Sequence, residues 1–347
     1  MDRKYFLSSI ALATASVSVL KSFGKDQVEG SAQGSSSVRI KMPPYLKPGD
    51  TIGICSPASY ISLQDIQPSI RLMESWGFKV LLGNSLGQKD FTLGGTDEVR
   101  ASDFQMMLDN PKVNAIMCAR GGYGIVRVID KLDFNHFRKQ PKWIIGFSDI
   151  TMLHTHINSR FRIATIHSKM CNSFPSDWTL ATPMQIETIL SIRQVLAGEP
   201  VKYTASPSIS NRKGRVEGCL VGGNLSLIET AAGTESDLHT DGKILFLEDT
   251  QEQLYSIDRM LWNLKRSGKL AKLKGLIIGG FKVKIDTEGD EFGKTVYDLV
   301  LEKVRDYDYP VCFDFPVGHQ VNNYALKCGV PHLLAIDENG SSLTSIL

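Results

Sequence analysis

Lys142-Trp143-Ile144-Ile145-Gly146-Phe147-Ser148-Asp149-Ile150-Thr151 reads as an apolar strand that passes through a tight turn directly into a helix. The strand is predicted over 143–145 and the helix over 150–158. Working back toward the N-terminus, the same alternation repeats. A β-branched run at 51–55 precedes a helical pattern at 63–76 that stops at Gly77, and a strand follows at 78–82. Thr96 is placed to cap a helix over 96–108, and a strand at 113–119 leads into Arg120-Gly121-Gly122-Tyr123-Gly124, with a further helix beginning over 125–129. Strands alternating with helices argue a mainly parallel, Rossmann-like sheet with helices on both faces, here an N-terminal α/β domain over 43–200. From about residue 200 the pattern changes. Short strands surround Lys213-Gly214-Arg215, Gly222-Gly223-Asn224 opens a helix at 225–232, and strands are predicted at 243–247, 276–281, 311–313 and 333–336, with a helix at 256–267. This second region, 201–347, reads as a smaller, mixed α/β domain.

Composition narrows the function. The chain has 347 residues, 42% hydrophobic and 22% charged, which suits two globular domains. A net charge of +2 with dispersed basic residues gives no field suited to nucleic acid or to an anionic membrane surface. Six cysteines form no CxxC pair, so zinc-ribbon and thioredoxin readings fail; Cys55 and Cys118 fall in apolar runs and read as buried small hydrophobes. Asp2-Arg3-Lys4-Tyr5-Phe6-Leu7 and the apolar stretch over 10–20 read as an export signal over 1–24, twin-arginine-like with Lys in the second position, followed by a Gly/Ser-rich linker over 25–42. That predicts an exported, periplasmic protein without an integral span in the mature chain; a cytoplasmic protein is the alternative if the segment does not function.

The chemistry concentrates at the opening stretch. A serine between strand and helix is held at the carboxyl end of a strand, where open α/β sheets bind ligands. The amide of Asp149, at the helix start, points toward developing negative charge, so one turn supplies a nucleophile and half of an oxyanion hole. Taken alone, the segment fits an N-cap serine or an ordinary turn better than a nucleophile. The glycine turn 121–124 offers a second close backbone approach, and its spacing is not that of a dinucleotide-binding loop. Of seven histidines, His154 and His156 lie two apart on one helix and cannot share a metal. His319, in Phe315-Pro316-Val317-Gly318-His319-Gln320, occupies a Gly/Pro loop after a strand and is the candidate base. Glu248, at the end of Ile244-Leu245-Phe246-Leu247-Glu248-Asp249, is the candidate carboxylate behind it, although the acidic pair could simply cap the next helix.

In their order, these stretches resemble the LD-carboxypeptidase family of serine peptidases, which includes the microcin-immunity peptidases. Leu46-Lys47-Pro48-Gly49-Asp50-Thr51-Ile52 with Ser56-Pro57-Ala58-Ser59 is similar to the family's start, and Gly95-Thr96-Asp97-Glu98 with Arg100-Ala101, the glycine turn 120–124, the nucleophile turn, Leu247-Glu248-Asp249, Tyr255-Ser256-Ile257-Asp258-Arg259 and Gly318-His319 follow in place. The likeness covers residues 43–340. It implies a triad of Ser148, Glu248 and His319 at an interdomain site, with oxyanion donors at the amides of Gly122 and Asp149. It implies no cofactor and no metal. The implied substrate is a small peptide, a murein tetrapeptide cut before its terminal D-Ala; a microcin-immunity-like amidase or a non-catalytic muropeptide-binding module are the alternatives. Arg120 and Tyr123 are the substrate-binding candidates, with Arg127 a second possible partner for a free carboxylate. The sequence leaves a homodimer open. After the histidine, Asn323-Tyr324-Ala325-Leu326-Lys327-Cys328-Gly329 departs from the family's Leu-Pro-x-Gly, so substrate contacts there are expected to differ.

Overall fold

The computed structural model describes residues 40–346, which belong to one compact unit; the export-signal expectation and most of the linker lie outside them. The first sheet is built by β1 (Thr51–Cys55), β2 (Lys79–Leu82), β3 (Ala115–Cys118), β4 (Trp143–Gly146) and β5 (Thr165–His167), all paired in parallel. Helices α1 (Gln67–Ser75), α2 (Asp97–Asp109), α3 (Asn135–Lys139) and α4 (Thr151–Phe161) connect these strands, and α5 (Pro183–Ala197) leads out of them. β3 and β4 are buried along their whole length, as befits strands covered on both faces.

The second sheet has seven strands: β6 (Lys202–Ala205), β7 (Gly214–Asn224), β8 (Lys243–Thr250), β9 (Gly275–Lys282), β10 (Val311–Cys312), β12 (Val330–Asp337) and β13 (Gly340–Ser345). Its order is β10-β9-β8-β7-β12-β13-β6, parallel from β10 to β7 and antiparallel beyond, with α6 (Leu225–Ala231), α7 (Leu254–Arg266) and α8 (Val296–Lys303) packed on it. The two sheets are not independent along the chain. The short β11 (Leu326–Cys328), from the C-terminal half, leaves the second sheet's region and pairs antiparallel with β5 as the sixth strand of the first. One apolar cluster also runs from Ile52, Met117 and Ile145 of the first sheet to Phe246, Ile277 and Leu334 of the second. Burying that surface joins the halves into one body.

Several elements differ from their sequence reading. The helix expected at 63–76 begins only at Gln67, because Pro68 in its first turn has no amide to donate and fixes the start. The helix expected from 125 is two 3-10 turns, Ile125–Arg127 and Ile129–Lys131. Gly124, at φ 143°, turns the chain there, and the Asp149 carboxylate takes the Ile125 amide at 2.9 Å. β7 and β8 extend further than expected, to Asn224 and Thr250, carrying their polar ends into the region where the site forms. All six cysteines are free thiols, and Cys55 and Cys118 are buried as expected. No helix among the described residues is long and apolar enough to cross a membrane.

Candidate active site

Ser148 lies two residues beyond the buried β4, at the start of a 3-10 turn that continues into α4. Its φ of 63° falls in the left-handed region, a conformation costing a non-glycine residue about 1–2 kcal/mol. Close packing holds it there. A side chain on Gly146 would lie 2.8 Å from Ile150, so only glycine lets the strand end fold against the helix start. His154 Nε2 meets the Gly146 carbonyl at 2.9 Å and Ser168 N donates to the same oxygen at 3.1 Å. His154 is thus a buried packing residue, its pKa pushed down to about 4 by burial, and His156, on Ser236 Oγ at 2.9 Å, is likewise buried and depressed to about 4.

The glycine turn after β3 packs directly on this serine. A Cβ on Gly121 would stand 3.1 Å from Ser148 Cβ, and one on Gly122, at φ 97°, would stand 2.1 Å from Ser59 Oγ. Ser59 fixes the turn, donating its amide to the Gly121 carbonyl at 3.1 Å and accepting from Tyr123 N at 3.2 Å. Asp149 ties the two turns through Ile125 N, and burial raises its carboxyl to about 6. Sequence reasoning gave Asp149 only an amide role; its side chain is a strut. Ser59 was missed because a serine 64 positions before Tyr123 carries no local sign of that partner.

The candidate base and its candidate carboxylate come from the C-terminal half, His319 from the loop after β10 and Glu248 from β8. Glu248 is fully buried near the end of β8, at an irregularity where the pairing with β9 shifts register between Leu247 and Asp249. Its Oε2 accepts from His319 Nδ1 at 2.5 Å. The His319 ring is mostly enclosed, 16% exposed, and packs 5.0 Å from the Phe147 ring, beside the nucleophile turn. Asp249 points elsewhere: it accepts from Asn224 Nδ2 at 3.0 Å, Ser226 N at 2.9 Å and Thr250 N at 2.7 Å, so it caps α6, which precedes it in the chain. The His319 loop is fastened at both ends. Gly280 N donates to Val317 O at 2.8 Å, and Gly318 N to Asn323 Oδ1 at 2.8 Å. The departure after His319 thus has a defined shape, with Asn323 inside the loop and 326–328 forming β11. The two halves meet again where Thr151 Oγ1, in the first turn of α4, accepts from Asn224 N at 3.0 Å.

The binding candidates separate. Arg127 is committed to Asp97 by paired bonds of 2.9 Å, which removes it as a free carboxylate receptor. Arg120 donates to Tyr60 O at 3.0 Å and lines a cavity of about 550 Å³ with Arg71, Gln64, Asn172 and Phe174. Tyr123 is 53% exposed at the glycine turn. No cluster of potential metal ligands occurs among the described residues.

A serine on a left-handed strand-to-helix turn, with an imidazole that packs on the adjoining Phe147 and is held by a buried carboxylate, is the kind of arrangement on which serine hydrolases rely. Residues 52–168 match the LD-carboxypeptidase N-terminal domain and 217–334 the LD-carboxypeptidase C-terminal domain. The chain belongs to the LD-carboxypeptidase family, and so to the serine-type carboxypeptidases. It is 34% identical over 310 residues to a probable murein peptide carboxypeptidase of Bacillus subtilis, covering 86% of this chain and 92% of that one. A murein tetrapeptide carboxypeptidase of Pseudomonas aeruginosa is 30% identical, over 80% of this chain and 91% of its own. The microcin C7 self-immunity protein of Escherichia coli is 26% identical, over 85% and 93%. Among solved structures, the muramoyltetrapeptide carboxypeptidase of Oxalobacter formigenes superposes with a TM-score of 0.73 at 27% identity, covering 85% of this chain and 98% of that one.

Proposed function

We propose that this protein hydrolyses an L,D-peptide bond and releases the terminal D-alanine of murein tetrapeptides. The observation that carries the reading is the 2.5 Å bond from His319 to the fully buried Glu248, beside a turn that holds Ser148 at φ 63°. Ser148 Oγ attacks the carbonyl carbon, and His319 takes its proton while Glu248 holds the imidazole and stabilises its cation. The amides of Gly122 and Asp149 receive the oxyanion; loss of one such donor typically costs ~100- to 1000-fold in rate. His319 then protonates the leaving amine, the C–N bond breaks, and water, deprotonated by His319, releases the acyl group from Ser148. Arg120, in the cavity it shares with Arg71, and Tyr123, exposed at the glycine turn, contact the peptide.

Defined muropeptides, incubated with wild type and with Ser148→Ala and read by mass spectrometry, test this. Loss of one D-alanine in the wild type only is expected. Turnover of a peptidyl nucleotide with none of the tetrapeptide would instead favour an immunity-type amidase, and binding without turnover a muropeptide-binding module. The basic and apolar start of the chain supports export to the periplasm. N-terminal sequencing of protein from fractionated cells is expected to begin after about residue 20; an intact Met1 in the cytosol contradicts export.

A further inference from the structure

Lys169 has no place in the mechanism above, yet it stands at its centre. It follows β5 by two residues, and its side chain is half-buried. Its ammonium donates to the Gln320 carbonyl at 2.6 Å, one residue past His319, and lies 5.5 Å from the centre of the Phe147 ring. That ring also packs against the His319 imidazole, so ammonium and imidazole share one aromatic neighbour. No carboxylate of the described residues forms an ion pair with Lys169, and the nearby Glu248 is engaged by His319. A partly buried cation is normally paired, because removal from water is costly unless an opposite charge replaces the lost hydration. Burial first, and then the positive charge of Lys282 at the end of β9, lower the Lys169 pKa to about 8 against the weaker opposing charge of Glu248, which still leaves it mostly protonated at neutral pH.

We propose that Lys169 receives the C-terminal carboxylate of the residue that leaves. The assignment rests on the hydrolytic reading of Ser148, His319 and Glu248. The scissile nitrogen must face His319 to be protonated, and in a carboxypeptidase substrate the terminal carboxylate is separated from that nitrogen by a single carbon. The group that receives it must therefore adjoin the histidine on the leaving side. Lys169 does, through Gln320; Arg127 is bound to Asp97, and Arg120 is bonded to Tyr60 and lines a cavity whose walls include neither His319 nor Gln320. A carboxylate there would complete the charge pairing that the protein leaves open, and would restrict cleavage to the last residue of a chain.

The test compares one L,D-tetrapeptide with its C-terminal amide. Wild type is expected to prefer the free acid by about 10- to 100-fold in kcat/KM, the range for one charged hydrogen bond. Lys169→Met is expected to bring that ratio near one, and Lys169→Arg to keep most of it. The acid-to-amide ratio of the wild type, which needs no variant, should also fall as pH rises through about 8; contributions from His319, Glu248 and Lys282 are common to both peptides and cancel. If Lys169→Met slows both peptides equally, Lys169 is only a fastening of the His319 loop and the assignment is overturned. A wild type that cleaves neither peptide overturns the hydrolytic reading, and this assignment with it.

Discussion

Gly318 lies against Glu248 so closely that a Cβ on it would fall 2.3 Å from Glu248 Cβ and 2.8 Å from Oε2. The residue before the histidine must lack a side chain for the carboxylate to reach the imidazole, and its φ of 97° independently favours glycine.

Gly318→Ala should therefore separate His319 from Glu248. A displacement of this kind is expected to cost about 100-fold in turnover and about 1–3 kcal/mol in stability. Gly233→Ala is the control, because Gly233 has a similar φ of 78° with nothing within 4 Å of the added carbon. It should lose about 1–2 kcal/mol from backbone strain alone and keep its turnover. Equal turnover in the two variants would show that the contact does not matter.

Glu248→Gln and Asp249→Asn should separate in opposite ways. Glu248→Gln puts an amide beside His319 Nδ1, so the imidazole loses its fixed tautomer; kcat should fall by up to ~10,000-fold with the fold intact. Asp249→Asn leaves one of three donors without an acceptor, and should cost about 1–3 kcal/mol while sparing turnover. Steady-state kinetics beside melting curves decide this, and an inactive but folded Asp249→Asn would move the catalytic acid to Asp249.

The buried Asp249 also makes stability depend on pH. Burial raises its carboxyl from 3.8 to about 6, so the folded chain keeps this proton where the unfolded chain has lost it. Its contribution to stability is full below about pH 4 and is lost as pH rises through about 6. The margin of wild type over Asp249→Asn should then shrink by up to about 3 kcal/mol between these values. Denaturant titrations of both proteins from about pH 4 to about pH 8 measure it; a margin that widens with pH contradicts the burial effect.

Ser148→Gly and Ser148→Ala should both abolish labelling by a fluorophosphonate. They should differ in stability, with Ser148→Gly higher by about 1–2 kcal/mol, because glycine relieves the left-handed backbone at φ 63° while alanine keeps it. Equal melting temperatures would mean that the turn stores no strain.

Much of the scaffold was legible because its signals are local. The apolar run 143–145, one residue short of the observed β4, the N-cap Thr96, whose side chain accepts from Val99 N, and Asn224 before α6 each read correctly from a few adjacent residues. The opposite sides taken by Glu248 and Asp249 follow from strand alternation, although Asp249 caps a helix before it rather than after it. Helices α5 and α8 were passed over although their capping boxes, Thr182 with Gln185 and Thr295 with Asp298, are written in the sequence.

By itself, the sequence determined the alternating strands and helices, the serine between β4 and α4, and the glycine turns, since backbone conformation and burial pattern depend on near neighbours. Only the tertiary structure decided which groups meet. It set Glu248, on β8, against His319 in the loop 71 positions later, put Asp149 and Ser59 to work bracing the glycine turn, committed Arg127 to Asp97, and left Lys169 beside His319 with no carboxylate among the described residues in an ion pair with it. These are pairings over long chain separations, fixed by how β11 and the shared core bring the two sheets together, and charges so distant in sequence carry no local mark of their partners.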